Sequence, residues 1–216
     1  IRNFKQIIKN MSSTNILVEN KKMSNLTWFG VGGCSKYYFQ PSSEEDLVSF
    51  LKNNNLNLPI YPLGAGSNII IRDRGFNGLI IHFNKLNEIF IDKQGIITAY
   101  CGAMDAEVAR FARNHSKTGL EFLIGIPGTI GGGIKMNSGA YGSEIKKILI
   151  DVTAINKNGI QKKFTVKDLK LDYRTNKLSQ EWMFVKARFN SNSGSKDHIQ
   201  KKMKEIIQSR KMSQPT

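Results

Sequence analysis

Cysteine is nearly absent from this sequence: Cys34 and Cys101 are the only two in 216 residues. They stand in unlike contexts, which excludes a disulfide framework and makes a reducing compartment, the cytoplasm, the expectation. Histidine is equally sparse. His82, His115 and His198 lie far apart in the chain without Cys or carboxylate companions at ligand spacing, so no metal site is expected. No apolar run approaches the ~18 residues of a membrane span, no apolar stretch with a small-residue cleavage site marks a secretory leader, and no G-x-S-x-G elbow supports a hydrolase. Acid is scarce too, with 17 Asp and Glu against 32 Lys and Arg and a net charge of +15. Such a surplus invites a polyanion, because lysines that neutralise phosphates release counterions. Yet the basic residues come as scattered pairs (Lys21-Lys22, Lys146-Lys147, Lys162-Lys163, Lys201-Lys202) and no nucleic-acid module is present. A solvated lysine-rich surface with no specific nucleic-acid partner is the expectation, and a basic nucleic-acid-binding protein is the rival from a different class.

What is present reads as mixed α and β. "SKYYFQP" (35–41) has strand character, and "SSEEDLVSFLKNNN" (42–55) has helix character, with Ser42 or Ser43 as cap and Glu44, Glu45 and Asp46 complementing the dipole. "LPIYPLGAGSNIIIRDRGFNGLIIHF" (58–83) reads as strand, glycine loop, short strand, turn and strand, a β-α-β opening with parallel strands. Beyond Asn87, "EIFID", "IITAYCG" and "ILIDVTAI" suggest antiparallel strands, Asn158-Gly159 marks a hairpin turn, and "DAEVARFARNHS" (105–116) is a helix. The tail is helical through about Lys211, with Ile199, Met203, Ile206 and Ile207 on one stripe, and breaks at Pro215. These textures predict an extension over 1–22, a β-α-β lobe over 23–83, a mainly antiparallel lobe over 84–190 and a helical linker over 191–216.

Two glycine-rich loops carry the chemistry. "GAGSN" (64–68) follows a strand, and "GIPGTIGGG" (125–133) lies in a stretch, 119–142, that is one-third glycine. Without Cβ atoms a backbone can turn its N–H groups onto an anion. Neither loop is a known nucleotide fingerprint: G-x-G-x-x-G from Gly64 meets Ile69, and a P-loop from Gly128 meets Ile134 where Lys is required. Two cradles with Ser67, Asn68, Thr129, Asn137 and Ser138 at hand suit a diphosphate gripped from both sides.

Four motifs, "TWFGVGG" (27–33), "LGAGSNIIIRDRGFNGLII" (63–81), "GLEFLIGIPGTIGGGIKMNSGAYG" (119–142) and "DYRTN" (172–176), stand in an order and spacing that resembles the UDP-N-acetylenolpyruvoylglucosamine reductase family over roughly residues 26–215. The resemblance implies an α+β, two-lobed FAD-binding fold of the p-cresol methylhydroxylase and vanillyl-alcohol oxidase type. It also implies a flavoprotein oxidoreductase of peptidoglycan precursor synthesis, an activity tied to cell wall biogenesis, cell shape and cell division. There NADPH is the reductant, FAD the relay, and a UDP-sugar the substrate, reduced to UDP-N-acetylmuramate. By that resemblance Gly64, Ala65, Gly66, Ser67 and Asn68 wrap the pyrophosphate, while Gly125, Ile126, Pro127, Gly128, Thr129, Gly133 and Asn137 line the other side of the cofactor. Arg174 matches the family's active-site arginine, a fixed cation for the charge that builds beside the substrate carboxylate, and Tyr173 is the substrate-side candidate.

The sequence departs from the family in two places. Asn176 stands where Ser is usual, and nothing matches the serine and glutamate that the family carries on a third, C-terminal domain. "NSNSGSKD" (190–197) reads instead as a polar loop. The expectation is an FAD-binding portion that does not complete the cycle alone; another oxidoreductase on the same flavin fold is the rival enzyme. Cys34, Trp28, Phe29 and Phe122 are expected to be packed, and Cys101 buried at a strand end.

Overall fold

The computed structural model describes residues 16–54 and 56–213. In chain order the elements are β1 (Ile16–Lys22), β2 (Cys34–Gln40), α1 (Glu44–Asn53), β3 (Ile60–Leu63), β4 (Phe76–His82), β5 (Ile89–Ile91), β6 (Ile97–Tyr100), α2 (Asp105–Asn114), β7 (Lys117–Thr118), α3 (Ile130–Lys135), β8 (Gly139–Ala140), β9 (Ser143–Glu144), α4 (Ile145–Ile148), β10 (Leu149–Ile155), β11 (Gln161–Thr165), α5 (Val166–Leu169), β12 (Met183–Phe189), β13 (Asn192–Ser193) and α6 (Lys196–Ser213).

The first sheet has the order β1-β2-β4-β3, with β2 and β3 both parallel to β4 and β1 antiparallel to β2. Its central strand β4 is buried on both faces, so "LIIH" runs apolar instead of alternating. Leu79 and Ile81 join Phe39, Leu47, Phe50 and Leu51 on one side, while Ile80 joins Met23, Tyr38, Leu63 and Ile71 on the other. Helix α1 closes the first side. Ser43 Oγ accepts from the Asp46 amide at 3.1 Å, and Leu47, Phe50 and Leu51 fall on one face, with Phe50 stacked on Phe39 at 3.9 Å between centroids.

The second sheet, β11-β10-β12-β6-β5, is antiparallel throughout. Asn156 and Gly159 form the turn of the β10-β11 hairpin where Asn158-Gly159 was expected. The edge strand β11 buries Phe164 alone and exposes Lys162 and Lys163, a charged edge that discourages further pairing. The main core lies over this sheet beneath α2, α3, α6 and the 3-10 turn Glu121–Gly125. Ile155, Met183 and Val185 of the second sheet also pack into the α1 cluster, so the two sheets share a buried seam. Glu44 of α1 fastens that seam, accepting from Lys186 at 2.7 Å, Tyr100 at 3.0 Å and Gln161 at 2.9 Å.

Several boundaries differ from the sequence reading. Residues 16–22, read as part of an extension, form the edge strand β1, because β2 offers an open edge that "ILVENKK", opening on three apolar residues, can pair; residues 1–15 lie outside the described residues. No strand forms at 69–71, where Ile70 is 67% exposed. Over 191–213 the chain is packed, with β13 paired to β7 and Ile199, Met203 and Ile206 of α6 buried on the main core. Asn55 and Pro215 fall outside the described residues. Trp28 and Phe29 are 59% and 60% exposed, contrary to expectation, and Cys34 is exposed because strand alternation turns Ser35 inward. Cys101 and Phe122 are buried.

Candidate functional site

The two glycine loops meet. The first, 64–68, leaves the C-terminal end of β3; the second runs from the Glu121–Gly125 turn into α3. Ser67 Oγ donates to the Pro127 carbonyl at 2.6 Å, joining the loops directly. Each is also fixed from behind. The Gly66 carbonyl accepts from the Trp28 amide at 3.0 Å, tying in the "TWFGVGG" segment. The second loop is stitched to residues 101–105: Gly131 donates to the Cys101 carbonyl at 2.9 Å, Ile130 to Ala103 at 2.9 Å, and Asp105 to Gly128 at 3.0 Å.

Glycine is required where the loops come closest. A Cβ on Gly64 would collide with Thr129 Oγ1 of the facing loop, and Gly66, at φ +68°, would set a Cβ against the Leu26 carbonyl. Beneath the first loop sits His82, buried, with the Tyr38 hydroxyl 2.7 Å from Nδ1 and a hydrogen bond to the Gly64 backbone. Burial drives its imidazole pKa down to about 4, so the ring is neutral.

Between the loops lies a cavity of about 380 Å³, within the ~300–1,000 Å³ of small-molecule sites. All of Gly64, Ala65, Gly66, Ser67 and Asn68 line it, as do Ile126, Pro127, Gly128, Thr129 and Gly133. Phe83, Trp182 and Phe184 supply an apolar wall, and Lys135 a cation. Two polar groups in the wall, the Asp105 carboxylate and Thr129 Oγ1, are buried with no hydrogen-bond partner.

Other expected site residues lie elsewhere. Gly125 faces away from the cavity: a Cβ there would come 2.6 Å from the Tyr141 ring, and its carbonyl accepts from Arg210 of α6 at 2.5 Å. Asn137 is also outside the lining. Buried at φ +42°, it donates to Glu144 at 2.9 Å and accepts from the Lys146 amide at 3.0 Å, holding the turn after α3. Arg174 and Tyr173 occupy an exposed turn closed by paired backbone bonds between Asp172 and Thr175, with Arg174 at φ +51° and its guanidinium 5.4 Å from the Tyr173 ring centroid. Asn176 anchors that turn to the cavity wall, donating to the Lys135 carbonyl at 2.8 Å. The 190–197 segment supplies β13 and the start of α6.

Sequence reasoning missed Asp105, Lys135 and Trp182. Asp105 reads as an ordinary first-turn acid, and only its burial distinguishes it. Among the described residues, no group of three or more His, Cys, Asp or Glu is placed to hold a metal, and no helix is long and apolar enough to cross a membrane.

Residues 35–165 match a family described as "FAD binding domain". The chain is 43% identical over 201 residues to a UDP-N-acetylenolpyruvoylglucosamine reductase of Orientia tsutsugamushi (strain Boryong), covering 91% of this chain and 66% of that protein. It is 44% identical over 195 residues to the protein of that name from Rickettsia massiliae (strain Mtu5), covering 89% and 65%. The chain thus spans 66% and 65% of the lengths of these relatives. Among solved structures, the UDP-N-acetylenolpyruvylglucosamine reductase (MurB) of Thermus caldophilus superposes with a TM-score of 0.78 at 25% identity, covering 94% of this chain and 71% of that one. Cholesterol oxidase of Brevibacterium sterolicum superposes with a TM-score of 0.61 at 15% identity, over 85% of this chain and 39% of that one, a likeness of fold alone. The α+β fold of the FAD-binding, vanillyl-alcohol oxidase type expected from the sequence is the fold observed.

Proposed function

The chain belongs to the FAD binding domain family, and from that premise we propose that its inter-loop cavity holds FAD in a protein that reduces UDP-N-acetylenolpyruvoylglucosamine to UDP-N-acetylmuramate with NADPH, in the cytoplasm, for peptidoglycan synthesis. The observation that carries the reading is the Ser67–Pro127 bond, which brings both bare loops to one cavity. The residues fit the cofactor: two glycine loops lining one cavity, unsatisfied polar groups at Thr129 and Asp105, and an aromatic wall for a ring system. Bound FAD supplies hydride relay between reductant and alkene.

The protein's own part is to bind, orient and stabilise charge. Gly64–Asn68 and Ile126–Thr129 with Gly133 would hold the diphosphate from two sides, and Lys135 would balance its charge. Arg174 would meet the substrate carboxylate and the charge that builds beside it, because a guanidinium presents a rigid fork to a carboxylate and its exposed turn is tied through Asn176 to Lys135. Tyr173, 80% exposed beside it, would contact the substrate.

Purified chain titrated with FAD tests the cofactor reading: quenching of flavin fluorescence with saturable, roughly micromolar affinity is expected, and no binding overturns it. In the whole protein, NADPH oxidation that depends on the enolpyruvyl substrate and falls at least ~100-fold in Arg174→Ala tests the reaction. Flavin binding with no turnover of that substrate would point to a different oxidoreductase.

A further inference from the structure

Asp105 is 0% exposed and lines the cavity, and neither of its carboxylate oxygens has a hydrogen-bond partner. Its backbone is fixed at the first position of α2 by the bond from its amide to the Gly128 carbonyl. The carboxyl faces the bare side of the second loop: a Cβ on Gly128 would lie 3.2 Å from Oδ2, and one on Gly133 3.4 Å from Oδ1. The customary duties of a buried aspartate are unfilled, since it makes no ion pair, caps no helix and belongs to no metal cluster among the described residues. A polar group left unsatisfied at the wall of a cavity costs free energy until a ligand completes it.

The surroundings decide which protonation state that ligand meets. Burial raises the Asp105 pKa to about 7. The Cys101 thiol, buried beside it and pushed well up by burial and by Asp105, stays protonated. Glu107, two residues along α2 and so on another face of the helix, is exposed. Lys135 is the charged residue that shares the lining; it is an exposed residue whose ammonium is partly desolvated and so held below its usual pKa. A diphosphate bridge offers only acceptors. An ionised carboxylate would repel it, whereas a neutral carboxyl has a proton to donate.

Resting on the reading that this cavity holds FAD, we propose that Asp105 is a binding-site acid that donates from its neutral carboxyl to a diphosphate oxygen, so that the chain takes up a proton when FAD binds above neutral pH. The Thr129 hydroxyl, the other unpartnered group, is a second donor to the same bridge.

Calorimetric titration of the chain with FAD at about pH 8, in two buffers of different ionisation enthalpy, counts the protons. The expected result is uptake of between about half and one proton, with Kd rising by up to ~tenfold per pH unit above pH ~7 and level below it. Asp105→Asn, which keeps the shape and a donor, binds with no proton uptake and a flat profile. Lys135→Gln retains the uptake. No uptake, proton release, or a slope that survives in Asp105→Asn and vanishes in Lys135→Gln overturns the proposal. Should Asp105→Asn fail to fold, the wild-type and Lys135→Gln proton counts decide it. A chain that binds no FAD at any pH instead sinks the cofactor reading beneath it.

Discussion

Ser67 Oγ and the Pro127 carbonyl lie 2.6 Å apart, a bond that closes a 60-residue interval of sequence and sets the two glycine loops on either side of one cavity. A hydroxyl-to-carbonyl bond is worth about 0.5–1.5 kcal/mol net. Ser67→Ala therefore loosens the clasp without emptying a core, and FAD affinity is expected to fall roughly three- to tenfold, read by flavin fluorescence titration. The thermal midpoint of the protein without ligand falls by only about 2–4 °C per kcal/mol lost; a change in stability with no change in affinity would make the bond merely structural.

Gly64 is forced by its neighbour. A methyl group there collides with Thr129 Oγ1, and overpacking of this kind costs about 1–3 kcal/mol. Gly64→Ala is expected to lower the free energy of unfolding in urea by that amount. Thr129→Ala removes the obstructing oxygen, so the double variant recovers part of the loss, a coupling of about 1 kcal/mol or more in a double-mutant cycle. Simple additivity would place the strain elsewhere.

Much of this arrangement was legible in the chain, and the failures share a cause. A serine cap at 42 or 43, Asn158-Gly159 as a turn and the apolar run of β4 depend on local rules; Ser43 is the cap, and the turn and the strand lie where those rules put them. The two loops were visible as places where side chains are missing. Pairing of residues 16–22 depends on an edge that only the assembled sheet provides, and exposure of Trp28 and Phe29 on a loop that no periodicity governs. Asp105 was illegible for the same reason: at the head of a helix an acid looks like a dipole partner, and only tertiary packing buries it without one.

Glu44 gathers Lys186, Tyr100 and Gln161 from three strands of the second sheet onto the helix of the first. Its carboxylate is 11% exposed and the Lys186 side chain 32%, intermediate between a surface pair of little worth and a buried one. Glu44→Gln keeps the volume but gives up the charge, leaving Lys186 half-buried without its partner. The expected loss is about 1–3 kcal/mol in guanidinium unfolding, and Glu44→Gln combined with Lys186→Met recovers part of it. Equal loss in the single and double variants would show that the ion pair carries none of the seam's strength.

His82 and Asp105 pull stability in opposite directions over nearly the same pH range. The folded pKa of His82 is lowered by burial to about 4 from the ordinary 6.5, so its contribution is present above pH 6.5 and is lost as pH falls through 4. Asp105 is raised to about 7 from 3.8, so its contribution is present below 3.8 and is lost as pH rises through 7. At about 1.4 kcal/mol per unit these bound the two effects at roughly 3 and 4 kcal/mol, and in the wild type they largely offset each other. Each substitution should expose the other group. Relative to wild type, Asp105→Asn gains stability at pH 7 and loses that advantage toward pH 4, whereas His82→Gln gains at pH 4 and loses the advantage toward pH 7. Glu121 and Asp151, held below their usual pKa by hydrogen bonds to Thr118 and Gly119 and to Arg188 respectively, are common to all three proteins and cancel in the differences. Urea unfolding of the FAD-free chain at half-unit pH steps reads both curves, and parallel profiles for the three proteins would show that neither group is held out of its ordinary range.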